Sequence, residues 1–466
     1  MIQKNDEYIV TIESMGSEGE GIARIDGYAL FIKDAIDGDK AKVKVIKTKK
    51  TYGYARVIEI LEPSKHRVNA RCNIARQCGG CQLQHVSYEK QLAYKEDKVK
   101  NCLTRIGGFT VTSIEEEKNF KEGTILLEPI IGMEEPYYYR NKAQFPVGVN
   151  KEGRIATGFY AARTHSIIET TNCLIQAKEN NELLTIVMDF LKEYHISVYD
   201  ENSHEGLVRH VLTRVGFKTK EIMVCLIING DNLPYADVLV KRLTKVPNMK
   251  SICININKEK TNVILGDKVK TLWGQAYITD YIGNVKFHIS PLSFFQVNPV
   301  QTLKLYEQAL EYADLKGDEM VWDLYCGIGT ISLFLAQKAK MVYGVEIVPQ
   351  AIEDAKKNAK LNEINNAEFY VGAAEEVVPK KYKEEGIYAD VIVVDPPRKG
   401  CAESLLDTIV AMSPRKVVYV SCDPATLARD LKYLSERGYE VKKARPVDMF
   451  GHSSHVETVC LLTKAE

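Results

Sequence analysis

From residue 320 to the C-terminus the chain alternates short apolar runs with amphipathic stretches, and this alternation constrains its fold more tightly than any other feature. The runs at 320–325, 341–347, 367–371, 391–395 and 417–422 read as strands, and the stretches at 331–337, 349–362, 402–412 and 425–437 read as helices. Two further strands follow. Strand and helix in alternation predict a doubly wound α/β sheet, mostly parallel. Such sheets bind ligands outside the carboxyl ends of their strands, so the chemistry of the chain is to be sought there.

The first strand runs into Asp323-Leu324-Tyr325-Cys326-Gly327-Ile328-Gly329 and then a helix, whose free N–H groups face the crevice. The glycines let the backbone come close to a ligand. A dinucleotide fingerprint would need a third glycine where Ser332 stands, so that motif is incomplete. The second strand ends at Glu346, a carboxylate placed to take ribose hydroxyls, although a solvated strand-end acid is the plainer reading. Together these features favour an adenosine ligand without a pyrophosphate. S-adenosylmethionine suits them best, because its sulfonium also welcomes Asp323 and Glu346.

The fourth strand ends in Asp395-Pro396-Pro397-Arg398-Lys399-Gly400, where the prolines stiffen the turn into a wall for a flat acceptor, or into no more than a rigid turn. Ser421-Cys422-Asp423-Pro424 ends the next strand; a thiol mostly protonated at neutral pH needs either a depressed pKa or a base, and the helix opening at Ala425 is expected to supply the first through its N-terminus. His455-Val456-Glu457 follows. Thiol and carboxylate at one site supply a nucleophile and a base, with His455 the rival of Glu457 on the same strand face. A lone Cys422 would more simply be a core cysteine. Its companions argue otherwise: a thiolate added at carbon 6 of uracil makes carbon 5 nucleophilic enough to attack a sulfonium methyl, and a base then removes the proton at carbon 5.

Lys plus Arg and Asp plus Glu each number 62, so only local patches can speak for nucleic acid. Residues 1–62 read as a small five-stranded barrel. Lys40, Lys42, Lys44, Lys47, Lys49, Lys50 and Arg56 with Tyr52 and Tyr54 suit a phosphate backbone and stacked bases, or a solvated edge strand. Tyr137-Tyr138-Tyr139-Arg140-Asn141-Lys142 is a second aromatic and basic mix for unpaired RNA bases. A helix is expected at 88–105, and a β-rich stretch at 128–287 with one helix near 183–193. The N-terminus has no apolar signal region and no run is long enough to span a membrane, so a cytoplasmic location without membrane or obligate protein partner is expected.

Eleven cysteines, an odd number, argue against disulfides and for metal or catalytic use. Cys72, Cys78 and Cys81 lie within ten residues around Gly79-Gly80, and Cys173 is a distant fourth. That set suits an iron–sulfur cubane or a four-cysteine zinc, and the spacing does not choose. Cys102, Cys225, Cys253, Cys326, Cys401 and Cys460 are read as core, with Cys326 notable for its place in the glycine turn.

Ser421–Pro424, Asp395–Arg398 and His452-Ser453-Ser454-His455-Val456-Glu457, together with Ser293-Phe294-Phe295-Gln296-Val297-Asn298-Pro299 and the glycine turn, resemble the signatures of the RNA uracil-5-methyltransferase family. The stretch Gly16 to Arg24 resembles the TRAM domain, a small RNA-binding module. The resemblance implies a class I (Rossmann-like) methyltransferase domain at 287–466, in which the Asp395 loop faces both cofactor and acceptor. It implies a central β-rich domain at 63–286 with the four-cysteine site, whose helical segment at about 88–110 packs on the catalytic domain, and an OB-like TRAM barrel at 1–62. It makes Cys422 the nucleophile, Glu457 the base, and Gln296, Tyr325, Glu346 and Asp395 the cofactor contacts. Thr330, where many relatives carry Asn, departs from the pattern. The cysteine form ending at Gln84 goes with a 4Fe-4S cluster on Cys72, Cys78, Cys81 and Cys173, structural in role because the spacing of radical chemistry is missing. The combined pattern points to a loop uridine of 23S ribosomal RNA, with transfer RNA as the alternative. A non-catalytic iron–sulfur RNA-binding protein would need neither thiol nor base. A methylthiotransferase would need the radical spacing.

Overall fold

The computed structural model describes residues 2–114, 123–161 and 164–465. Its largest sheet has nine strands in the order Ala367–Val371, Met341–Glu346, Met320–Leu324, Val391–Val394, Lys416–Ser421, Glu457–Lys464, Tyr439–Val447, Ile125–Leu127, Val111–Ser113. The first five are parallel. Val391–Val394 is buried at every residue because helices cover both faces, which is why these strands read as unbroken apolar runs. Glu457–Lys464 then runs antiparallel to both of its neighbours. The chain reverses direction across the sheet at Met320–Leu324, and a crevice opens at the carboxyl ends there.

The helices Thr330–Leu335, Pro349–Leu361, Glu403–Met412 and Pro424–Ser435 fall where the periodicity predicts them, and Ala374–Glu385 is an additional one. Its run of Glu and Lys and its internal Pro379 hide the apolar stripe, of which only Ala374 and Val378 are buried. Two three-residue strands, Val111–Ser113 and Ile125–Leu127, reach this sheet from the stretch before the central β-rich region, too short to show a period.

A seven-stranded sheet occupies the middle of the chain, with strands Lys142–Val149, Val208–Val215 and Ile222–Ile228 at its centre. Helix Asn180–Glu193 seats Leu183, Leu184, Val187 and Leu191 against it. A second helix, Ala236–Leu243, was not expected from the sequence; two turns give too few repeats for a periodic signal. At the N-terminus six strands form one sheet, the addition to the predicted five being the two-residue Ser14–Met15. Val10, Ala23, Leu30, Ile32, Val43 and Val45 fill its inside. Lys40, Lys42 and Lys44 alternate outward, as a half-buried strand requires.

Helix Tyr88–Arg105 joins the parts. Tyr94 donates its hydroxyl to the carbonyls of Gly16 and Ser17 in the N-terminal sheet, both at 2.9 Å. Val99 and Leu103 share a core with Leu427 and Leu431 of the nine-stranded unit. Among the described residues no helix is long and apolar enough to cross a membrane.

Candidate active site

A cleft of about 690 Å³ opens at the carboxyl ends of the parallel strands, in the size range of small-molecule sites. It brings together Cys422, Glu457, Gln296, Tyr325, Glu346 and Asp395. Strand pairing explains the first two. Ser421 pairs with Thr458, which puts Glu457, the first residue of its strand, on the rung beside Cys422. Asp423-Pro424 explains why the strand stops there: the Asp423 carboxylate caps the helix by accepting from Ala425 N at 2.9 Å and Thr426 N at 3.1 Å, and proline takes the first helical position.

That cap overturns one expectation. The helix N-terminus is engaged by Asp423, and the Cys422 thiol is not depressed but pushed up to about 11, first by burial and then by the charges of Glu457 and Asp395. Burial and Asp395 likewise hold Glu457 well above the usual carboxylate range. Burial and then Asp323 raise Asp395. Arg398 alone pulls both Cys422 and Glu457 the other way. His455 lies in the turn before the strand, so it shares no strand face with Glu457, although it lines the same cleft.

On the opposite wall the turn after Met320–Leu324 is held open by unusual backbone. Tyr325, Gly327 and Gly329 have φ of 73°, 55° and 81°. For tyrosine this left-handed conformation costs on the order of 1–3 kcal/mol, the kind of strain that collects at functional sites. The N–H groups of Tyr325 and Cys326 both donate to the Val345 carbonyl at 3.0 Å. Cys326 is thereby buried beneath the turn, and burial drives its thiol pKa upward. The Glu346 carboxylate accepts from Gly327 N at 3.3 Å and Val348 N at 3.0 Å, which orients it at the cleft edge. Asp323 is wholly buried and accepts from the Ser332 hydroxyl, so the serine that breaks the dinucleotide fingerprint holds this acid. Its other oxygen is unpaired, and burial pushes its pKa up to about 7. Thr330 accepts from the Tyr306 hydroxyl at 2.9 Å. Buried acids facing one cleft are an environment that a bound cation would relieve.

Arg140, Asn141 and Phe294 stood in the sequence only as parts of longer motifs, and the structure gives them individual places in the cleft. Asn141 donates its amide to the Gln296 carbonyl at 2.9 Å and thereby brings Arg140 to the cleft, where the Arg140 Nε is buried without a partner. Phe294 lines the mouth while 69% exposed, an apolar ring free to take a base. Tyr137 and Tyr139, expected to face RNA, are used internally. Tyr137 lies between Arg71, 4.2 Å away, and His452, 4.3 Å away, and Tyr139 is buried with its hydroxyl on the Gly451 carbonyl at 3.0 Å. A second groove, of about 700 Å³, opens from Arg398, Cys422 and His455 toward Phe31 and Ser17 of the N-terminal sheet and Lys90 and Lys98 of the joining helix. Phe31, Tyr52 and Tyr54 cluster there with ring centroids 5.6–5.9 Å apart.

Cys72, Cys78, Cys81 and Cys173 converge on one region, close enough that neighbouring thiols raise the pKa of Cys81 and Cys173. Burial is the larger cause; it pushes Cys81 to about 12 and Cys173 to about 11. Cys81 and Cys173 pack against Met133, Tyr139 and Ile175. Among the described residues no group of three or more His, Cys, Asp or Glu side chains is arranged as a metal site. The donor set itself, four soft thiols with an apolar backing, fits an iron–sulfur cluster or zinc.

Residues 265–465 match the family model described as tRNA (uracil-5-)-methyltransferase, and residues 3–58 match the TRAM domain. The chain is 54% identical over 462 residues to an uncharacterized RNA methyltransferase of Halalkalibacterium halodurans, covering 99% of this chain and 98% of that one. It is 50% identical to another from Clostridium acetobutylicum, with 100% and 98% covered. The crystal structure of Pyrococcus abyssi tRNA (uracil-54, C5)-methyltransferase in complex with S-adenosyl-L-homocysteine superposes with a TM-score of 0.77 at 28% identity, covering 98% of this chain and all of that one.

Proposed function

The chain belongs to the RNA uracil-5-methyltransferase family and carries an N-terminal TRAM domain, and from that premise we propose that it methylates carbon 5 of a loop uridine in 23S ribosomal RNA through a covalent bond from Cys422 to carbon 6. The observation that carries the reading is the placement of Cys422 and Glu457 opposite each other, one position beyond the Ser421–Thr458 pair, in the same cleft as Glu346 and Asp395. S-adenosylmethionine, held by Gln296, Tyr325, Glu346 and Asp395, supplies an electrophilic methyl group. The Cys422 thiol gives its proton to solvent as its sulfur adds to carbon 6 of a uridine turned out of its stack, and electron density moves through carbon 5 to oxygen 4. Arg140 is the cation available to that oxygen, and the ring of Phe294 is available to stack on the base. Carbon 5 would take the methyl group from the sulfonium, leaving the neutral thioether S-adenosylhomocysteine; ionised Glu457 then takes the remaining proton at carbon 5 and the sulfur leaves as the Cys422 thiolate. Arg398 favours the ionised form of both groups.

The RNA flanking the target would follow the groove from Cys422 to the cluster of Phe31, Tyr52 and Tyr54, where aromatic faces and lysines suit single-stranded nucleic acid. Cys72, Cys78, Cys81 and Cys173 would hold a 4Fe-4S cluster of structural role, with zinc the alternative. A cytoplasmic location, with no membrane and no obligate protein partner, completes the proposal. The likeness to the Pyrococcus abyssi enzyme favours a second reading, a uridine of transfer RNA.

RNA carrying 5-fluorouridine tests the chemistry, because fluorine at carbon 5 cannot be removed by a base. The wild type is expected to form an adduct stable to denaturation, and Cys422→Ala none; a wild type that forms no adduct overturns the covalent mechanism. Mapping 5-methyluridine in cells lacking the gene separates ribosomal from transfer RNA.

A further inference from the structure

Tyr88, Gln91, Lys95 and Lys98 lie at helical spacing on one face of helix Tyr88–Arg105, and all four grip the turn at 448–454 that leads into the Glu457 strand. Tyr88 donates its hydroxyl to Asp448 Oδ2 at 2.8 Å. Lys95 Nζ donates to Asp448 Oδ1 at 2.5 Å and to the Phe450 carbonyl at 2.9 Å. The Gln91 amide oxygen accepts from His452 N at 2.9 Å, and its nitrogen stands 3.2 Å from His452 Nδ1. Lys98 Nζ donates to the Ser454 carbonyl at 3.0 Å. The side chains of Lys95 and Asp448 are both 0% exposed. A buried ion pair is a poor source of stability, since desolvation offsets most of the attraction. It is an effective way to fix geometry, because neither charge can leave its partner. The turn it fixes places Phe450 and His455 in the cleft and delivers Glu457.

We propose that Lys95, supported by Tyr88 and Gln91, is a positioning residue for the reaction. By setting the 448–454 turn it aims Glu457 at the proton on carbon 5, while Cys422, Tyr325, Glu346 and Asp395 stand at the ends of other strands and Gln296 in the segment before helix Pro299–Ala313. The proposal rests on the reading of Glu457 as the base. It follows that loosening this grip slows proton removal after the methyl group has been transferred, and leaves cofactor binding intact.

The test is Lys95→Met combined with Asp448→Asn, which removes both charges so that neither is buried alone, with Tyr88→Phe as a milder variant that takes away one hydroxyl. With ordinary uridine RNA, kcat is expected to fall by about tenfold to a hundredfold in the double variant, the cost of a small misplacement. KM for S-adenosylmethionine is expected to fall along with kcat, so that kcat/KM stays within about twofold because the slowed step follows methyl transfer, and the dissociation constant of the cofactor is expected to be unchanged. A methylated Cys422–RNA adduct should build up on denaturing gels, where the wild type shows none. If the double variant does not fold by thermal melting, Tyr88→Phe is read for the same adduct. Wild-type kcat overturns the proposal. So does a joint loss of kcat and cofactor affinity without adduct, which a merely structural role would give. The wild type with 5-fluorouridine RNA is run alongside. If it forms no adduct, the underlying mechanism fails; if it does and the variants turn over normally, only the positioning role fails.

Discussion

Asp323 is the residue in which sequence and environment differ most in what they say. As a letter it is a strand-end acid; in place it is wholly buried, half paired through Ser332, and raised to about 7 from its usual value of 3.8. The sign of the consequence is fixed. A carboxyl whose folded pKa is raised contributes stability that is fully present below about 3.8 and is lost as pH rises through about 7. The melting temperature of the free protein is therefore expected to fall between roughly pH 4 and pH 7, and Asp323→Asn to flatten that slope. A bound sulfonium favours the ionised acid, so affinity for S-adenosylmethionine should rise over the same interval by up to about tenfold per pH unit. S-adenosylhomocysteine, which lacks the positive charge, should show a shallower dependence. Calorimetric titration of both ligands at several pH values decides the point, and equal slopes would sink this account of the acids.

At the scale of the element, the helix Pro424–Ser435 does two things through one residue. Asp423 caps it, and in doing so takes up the N–H groups that would otherwise stabilise a Cys422 thiolate. Asp423→Ala is expected to cost about 1 kcal/mol of stability. It should also lower the Cys422 pKa from about 11, read from the pH dependence of alkylation, since a nearby acid is lost and helix N–H groups are freed. An unchanged alkylation profile would show that the cap does not govern the thiol. The same helix holds the proline loop, because Thr426 donates to the Arg398 carbonyl at 3.1 Å and Arg429 to the Lys399 carbonyl at 3.0 Å. Cys422 and the proline loop are therefore tied to one helix.

Across the whole molecule, RNA binding and cofactor binding are expected to be separable, since Lys47, Lys49 and Lys50 of the N-terminal unit do not line the cleft of Glu346. Lys47, Lys49 and Lys50 changed together to Ala should weaken RNA binding and make its salt dependence shallower by two to three counterions, roughly one per phosphate contact. S-adenosylmethionine affinity should not change; a loss of both would mean that the lysines serve the fold. The alternation from residue 320 onward predicted the parallel core of the large sheet because doubly covered strands and amphipathic helices write their burial into their periods. Asp423-Pro424 announced a helix start, and the glycine turn announced a close approach, because capping and left-handed backbone demand particular residues. Helix Ala236–Leu243 and the strands Val111–Ser113 and Ile125–Leu127 were not legible, being too short to repeat. The sequence by itself determined which residue types stand at the strand ends, and so the class of chemistry the chain can perform. Only the tertiary structure decided their protonation, the internal use of Tyr137 and Tyr139, and the grip of Lys95 on a turn 353 residues away. Charge, burial and hydrogen bonding between distant segments depend on what packs against what, and no local pattern encodes that.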